Sequence, residues 1–185
     1  IPRETDRVIV TNSADTPLKG LYHLLRAVAM IAAERSIRLT VIGTPKENGG
    51  VLRLVEKLGI GPLITFTGRI DHDAFVRHYA VSTVAVVPSV YEGFGLPAGE
   101  AMACGIPVIS TSGGALPEVV GDAGIIVPPG NPRALAEAIV RVFDNPGLAA
   151  ELGRKGYARV HQRFTWEKAA RETVRVYREV IRGYR

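Results

Sequence analysis

Short runs of β-branched and apolar residues alternate with longer amphipathic stretches along this chain, and that alternation limits the fold more than any other feature. The runs at 7–11, 38–42, 63–67, 84–87, 108–110 and 124–127 are almost continuously apolar, as parallel strands buried on both faces must be. The stretches at 21–35, 51–58, 71–82, 97–103 and 132–144 read as helices. Asn131 as N-cap and Pro132 at the first helical position mark the start of the last of these. Beyond residue 144 the pattern stays helical: Pro146 opens one segment, a break falls near Phe164, and Thr165 caps a final helix from Trp166 to about Ile181. The order predicts one α/β domain over residues 1–185, an open parallel sheet of about six strands with helices on both faces and C-terminal helices after it. At 185 residues, 46% of them hydrophobic, the chain is the size of one such domain, and no internal repeat suggests a second.

Composition removes several alternatives. The longest apolar stretches, such as Thr83 to Pro88, are far too short to cross a bilayer, and the first four residues do not resemble a signal peptide, so a soluble chain is expected. A single cysteine, Cys104, rules out an internal disulfide or a cysteine-based zinc cluster and fits a reducing compartment, with the cytoplasm as the expected location. The net charge of +5 favours anionic partners without choosing among them. Arg171, Arg175, Arg178 and Arg182 share one face of the last helix, beside an apolar stripe of Ala170, Val174, Tyr177, Ile181 and Tyr184. Such a helix can lie on an anionic membrane. Glu167, Glu172 and Glu179 are interleaved at pairing distance, which favours a solvated face and leaves peripheral membrane contact open; nucleic acid is not an expected partner.

In an open sheet of this kind ligands bind beyond the carboxyl ends of the strands. The loop after the fourth strand, Tyr91 to Glu100, carries most of the information. Gly93-Phe94-Gly95 precedes a predicted helix, so its amides and the positive end of the helix dipole would face an anion in the crevice. A G-x-G alone is also what any tight strand-to-helix turn uses. Glu92 and Glu100 flank it with seven residues between them, one before the helix and one about a turn inside. Glu100 sits in the otherwise apolar run Gly99-Glu100-Ala101-Met102-Ala103-Cys104, which predicts a hydrogen-bonding partner for its carboxylate. Both carboxylates also fit a plainer role, complementing the helix dipole or pairing with an arginine.

The run from Glu92 to Ile109 resembles the E-x7-E signature of family 4 retaining glycosyltransferases, with its E-A-M-A-C-G-x-P-V continuation. Lys19-Gly20, Phe66-Thr67-Gly68-Arg69, Pro88-Ser89, the segment Gly113 to Val119, the segment Gly124 to Pro129, and Phe164-Thr165-Trp166 resemble further landmarks in that family's order. The resemblance covers essentially the whole chain and implies one half of a GT-B fold, the Rossmann-like donor-binding domain, without the N-terminal acceptor domain. It implies an EC 2.4 enzyme moving a hexose-type sugar from a nucleoside diphosphate sugar such as a UDP or GDP conjugate to an unidentified acceptor, the missing domain being needed for transfer.

By that resemblance Glu100 would accept hydrogen bonds from the ribose hydroxyls, Glu92 would lie by the transferred sugar, and Lys19 would neutralise the diphosphate together with the amides of Gly93, Phe94, Gly95 and Leu96. Ile70 would meet the base through its backbone, beside Arg69, and Gly43 would let the chain pass close to base or ribose. Catalysis would fall to Glu92 and Lys19. The family has an arginine five positions before the lysine; here Ala14 stands there, and Arg69 or another cation compensates, or the backbone and Lys19 suffice, or phosphate stabilisation is weaker. His23, His72, His78 and His161 are scattered, no Asp-x-Asp motif occurs, and neither metal nor other cofactor is expected. A nucleotide-sugar epimerase-like domain, a sugar phosphorylase and a non-catalytic nucleotide-binding module are the alternatives on this architecture. The first would not be expected to carry the E-x7-E run, and the second would need a lysine-bound cofactor motif that the sequence lacks.

Overall fold

A computed structural model describes residues 6–11 and 15–184. Strands β1 (Arg7–Thr11), β2 (Arg38–Ile42), β3 (Ile64–Phe66), β4 (Val84–Val87), β5 (Val108–Thr111) and β6 (Gly124–Val127) form one sheet in the order β3-β2-β1-β4-β5-β6. Every pairing is parallel, β1 meeting β2 from Arg7 opposite Arg38 to Thr11 opposite Ile42, and β4 with Val8 opposite Val84. The pleat sends alternate side chains to opposite faces, so Val8 and Val10 join one core and Ile9 the other.

The first core lies under α1 (Leu21–Ala32), α2 (Gly50–Leu58) and α6 (Pro132–Phe143). Leu21, Leu24 and Leu25 are wholly buried there. Each such burial contributes about 1.5–3 kcal/mol. The second core lies under α3 (His72–Val81), α4 (Leu96–Ala103) and α5 (Leu116–Val120). Helix α7 (Pro146–Arg163) packs against α4 and α6, whereas α8 (Trp166–Gly183) buries none of its residues. Asp71, Asn131, Asn145 and Thr165 cap their helices by accepting an amide from three residues on. Among the described residues no helix is long and apolar enough to cross a membrane.

The expected sheet is present, with one- or two-residue differences at several element ends and larger ones at the end of α1 and at α5. The helix expected over 21–35 stops at Ala32, and Arg35 turns away to pair with Asp6 at 3.0 Å and Asp144 at 2.5 Å. Strand β3 begins one residue late because Gly61–Leu63 close a 3-10 turn. Helix α5 has no counterpart among the periodic stretches: five residues are too few to show a helical period, although Pro117 in the first turn is a start signal.

The chain builds β2 and β3 on one side of β1, then returns to lay β4, β5 and β6 on the other. The order therefore reverses between β1 and β4, and the chain leaves these two strands for helices on opposite faces of the sheet, α1 over the first core and α4 over the second, which opens a crevice at the strand ends.

Candidate functional site

Two loops meet at that reversal. After β1 the chain makes a 3-10 turn, Pro17–Lys19, closed by the Gly20 amide donating to the Pro17 carbonyl at 3.0 Å. The Val90 amide donates to the Leu18 carbonyl at 2.7 Å, joining this turn to the loop after β4. Gly20 makes the approach possible: its φ is +70°, and a Cβ there would lie 1.9 Å from the Pro88 carbonyl oxygen. A left-handed residue pressed against a neighbouring backbone has to be glycine.

This contact sets Lys19 beside Glu92. The Lys19 ammonium donates to Oε2 of Glu92 at 2.7 Å and to Oε1 at 3.0 Å, with 13% of the glutamate and 33% of the lysine side chain exposed. Such a pair is screened less than a surface one. The Ser89 hydroxyl, itself buried, donates to Oε2 at 3.2 Å. Ser89 is held in turn by its carbonyl, which accepts the Thr111 hydroxyl, and Thr111 accepts the Gly113 amide at 3.2 Å. The Glu92 carbonyl accepts the Ala115 amide at 2.9 Å, and Gly114 packs so closely that a Cβ would lie 2.2 Å from that carbonyl oxygen. The loop after β5 thus fixes the backbone that carries the carboxylate.

Thr11, Lys19, Val87, Pro88, Ser89, Glu92 and Pro97 line a cavity of about 170 Å³. Complete small-molecule sites run to roughly 300–1,000 Å³, so this space takes part of a ligand. Gly95 is the N-cap of α4, and Phe94 and Leu96 beside it are exposed. Pro97 has no amide hydrogen, and the Ala98 and Gly99 amides donate to the Gly95 carbonyl, so the start of α4 offers the Leu96 amide, with Pro97 lining the same cavity as the Lys19 ammonium; a helix N-terminus beside a cation suits an anion.

Glu100 lies one turn into α4, exposed by area yet desolvated enough that its carboxyl is pushed above the usual range. Among the described residues its carboxylate has no hydrogen-bond partner, contrary to the expectation from sequence, and partial exposure to water is what makes that tolerable. Its charge reaches the buried Tyr79, whose hydroxyl meets that of Thr11 at 2.7 Å at the end of β1.

The other candidates form a second group. The Gly68 amide donates to the Gly43 carbonyl at 3.3 Å, joining the loops after β3 and β2, while Ile70 leans on the second core and Arg69 is exposed. Strand β3 is two strands from β1, roughly 10 Å, so Arg69 is not beside Lys19 at the level of the sheet. Ala14 lies outside the described residues. Ser89, Thr111 and Asp15 were missed as site residues. Ser89 and Thr111 are buried hydroxyls beside strand ends, a signal that shows only once burial is known.

Comparison with known proteins identifies the family and the fold. A family model described as Glycosyl transferases group 1 matches residues 2–159. An MMP alpha-(1->4)-mannosyltransferase of Mycolicibacterium hassiacum is 39% identical, the match covering 97% of this chain and 45% of that protein. Sucrose-phosphate synthase from Thermosynechococcus elongatus superposes with a TM-score of 0.84 at 34% identity, over 99% of this chain and 47% of that one. The C-terminal domain of a glycosyl transferase group 1 family protein from Francisella tularensis, solved by itself, superposes with a TM-score of 0.75 at 26% identity, over 90% of this chain and 89% of that domain. The chain spans less than half the length of the first two, as one half of a GT-B fold does. Matched by the family model over most of its length, it belongs to the glycosyl transferases group 1 family.

Proposed function

We propose that this chain is the donor-binding domain of a retaining glycosyltransferase that moves a hexose-type sugar from a nucleoside diphosphate sugar to an acceptor held by a second domain. The observation that carries the reading is the Lys19–Glu92 pair, held beside the N-terminus of α4 where the sheet order reverses. Departure of a nucleoside diphosphate gathers negative charge on phosphate oxygens, and preorganised donors at that point lower the barrier most. Lys19 and the amides of Phe94, Gly95 and Leu96 at the start of α4 are such donors and require no metal. Glu92, bonded to Lys19 without ligand, exchanges that partner for a sugar hydroxyl when the diphosphate arrives. Glu100 accepts the ribose hydroxyls, and the backbone at Gly43 and Ile70 meets the base. A relative named as a mannosyltransferase supports a hexose-type donor. The single, half-buried Cys104 suits a cytoplasmic setting.

The exposed apolar residues of α8, including Val174, Tyr177 and Ile181, fit a helix that packs on the second domain. By itself the chain binds nucleotide without transferring sugar. Amide chemical-shift mapping tests the assignment: a nucleoside diphosphate is expected to move Lys19, Phe94 to Leu96 and Glu100 together. Shifts confined to other surfaces would reject it, and sugar transfer by the purified chain would reject the inactive half.

A further inference from the structure

Asp15 lies in the loop that carries Lys19, yet its carboxylate is bonded to the loop that follows β2. Oδ2 accepts the Lys46 amide at 2.7 Å and Oδ1 accepts the Val51 amide at 3.1 Å. Val51 lies in the first turn of α2, whose own N-cap residue, Gly49, contributes no side-chain bond. A carboxylate from another loop therefore caps this helix, satisfying an orphan amide and setting negative charge at the positive end of the dipole. The Tyr22 hydroxyl, close by, helps to hold that carboxylate charged. The fit is close: a Cβ on Gly49 would lie 2.6 and 2.8 Å from the two carboxylate oxygens, and one on Gly50 would lie 2.4 Å from the Tyr22 hydroxyl. Burial pushes the Asp15 carboxyl up, but the two amides, the Lys46 charge and Tyr22 outweigh it, and the group lies below the usual carboxylate range.

The strands that lead into these two loops, β1 and β2, are paired as far as Thr11 opposite Ile42, and beyond that point the bonds of Asp15 are what tie the loops together among the described residues. Lys19 and Glu92 stand at one end, the loop 43–50 at the other, and the described contacts put Asp15 between them. We propose that Asp15 is a positioning residue that holds the loop 43–50 at a fixed distance from Lys19, so that the nucleoside half of the donor site is set before the donor arrives. This rests on the donor-site reading above. Asp15 acts through backbone amides and touches no substrate atom. What it controls is spacing, so a ligand spanning both ends feels its loss and a ligand occupying the phosphate end alone does not.

The test is calorimetric titration of the wild type, Asp15→Ala and Asp15→Asn with UDP, GDP, ADP and, separately, inorganic pyrophosphate, together with amide hydrogen exchange at Lys46 and Val51. Asp15→Ala is expected to raise Kd for the preferred nucleoside diphosphate about tenfold or more, the loss of two charge-assisted bonds, with pyrophosphate binding unchanged and both amides exchanging faster. Asp15→Asn keeps one acceptor oxygen and is expected to fall between. Gly49→Ala, which drives the loop off the carboxylate from the other side, gives a second variant with the same expected split should Asp15→Ala not fold. A purely structural role would leave the ratio of nucleoside diphosphate to pyrophosphate affinity where it was, and that result overturns the proposal; so does unchanged exchange at Lys46 and Val51. Failure of the wild type itself to bind any nucleoside diphosphate sinks the donor reading, and this proposal with it, before any variant is measured.

Discussion

Replacing Gly20 by alanine tests whether the two loops meet as closely as the site requires. A Cβ at this position would stand 1.9 Å from the Pro88 carbonyl oxygen, where real contacts are essentially never under 3.0 Å, so the loops must part by about 1 Å. The left-handed backbone, at φ +70°, adds about 1–2 kcal/mol for any residue with a Cβ. Parting the loops also loosens the Val90–Leu18 bond and the Lys19–Glu92 pair, each about 1 kcal/mol. The whole effect is about 3–4 kcal/mol. In a domain of this size each kcal/mol lowers Tm by about 2–4 °C, so thermal unfolding followed by circular dichroism is expected about 6–16 °C lower. Gly59 supplies the control: its φ is +66° but a Cβ there has nothing within 4 Å, so Gly59→Ala carries the backbone term alone. Equal losses of Tm in the two variants would refute the close approach and, with it, the way Lys19 is set beside Glu92.

Other perturbations follow from the same contacts. Glu92→Gln frees Lys19 from an anionic partner, so calorimetry is expected to find nucleoside diphosphate bound at least as tightly, while transfer by an enzyme carrying both domains collapses. Burial raises the Glu100 carboxyl, so the folded state disfavours its charge; that stabilising preference for the neutral form is present below the ordinary carboxylate pKa and is lost as pH rises through the raised one. Glu100→Gln is accordingly expected to gain in Tm at neutral pH over the wild type and to lose that gain in acid, even as it weakens nucleotide binding. Leu24→Ala opens a cavity in the first core and is expected to cost about 2–5 kcal/mol in denaturant titration. Ile181→Ser, on the exposed stripe of α8, is expected to change stability by no more than about 0.5 kcal/mol by the same assay.

Strands were legible because burial on both faces forces nearly unbroken apolar runs, and β1, β2, β4 and β6 lie where those runs are. Helix ends were less so. The turn after Ala32 answers to Asp6 and Asp144, the latter far along the chain, and no local pattern records such partners. Glu92 stood out as a carboxylate beside a glycine turn, and Lys19 came with the family pattern; their pairing required the crevice that the sheet order creates. The support behind them was not readable. Ser89, Thr111 and the glycine at 114 matter through contacts across three loops, and Asp15 is an ordinary loop aspartate until the Lys46 and Val51 amides are seen on it. The apolar run around Glu100 predicts a partner for its carboxylate, whereas its position on α4 leaves that carboxylate partly in water.

The most direct measurement is calorimetric titration of this chain with UDP, GDP and ADP, repeated on Glu100→Ala. Selective binding of one nucleoside diphosphate by the wild type, weakened in the variant while its fold is retained, is the predicted result and also names the base. A folded wild-type chain that binds none of the three, or binds them as well without Glu100, would contradict the assignment of this crevice as the donor site.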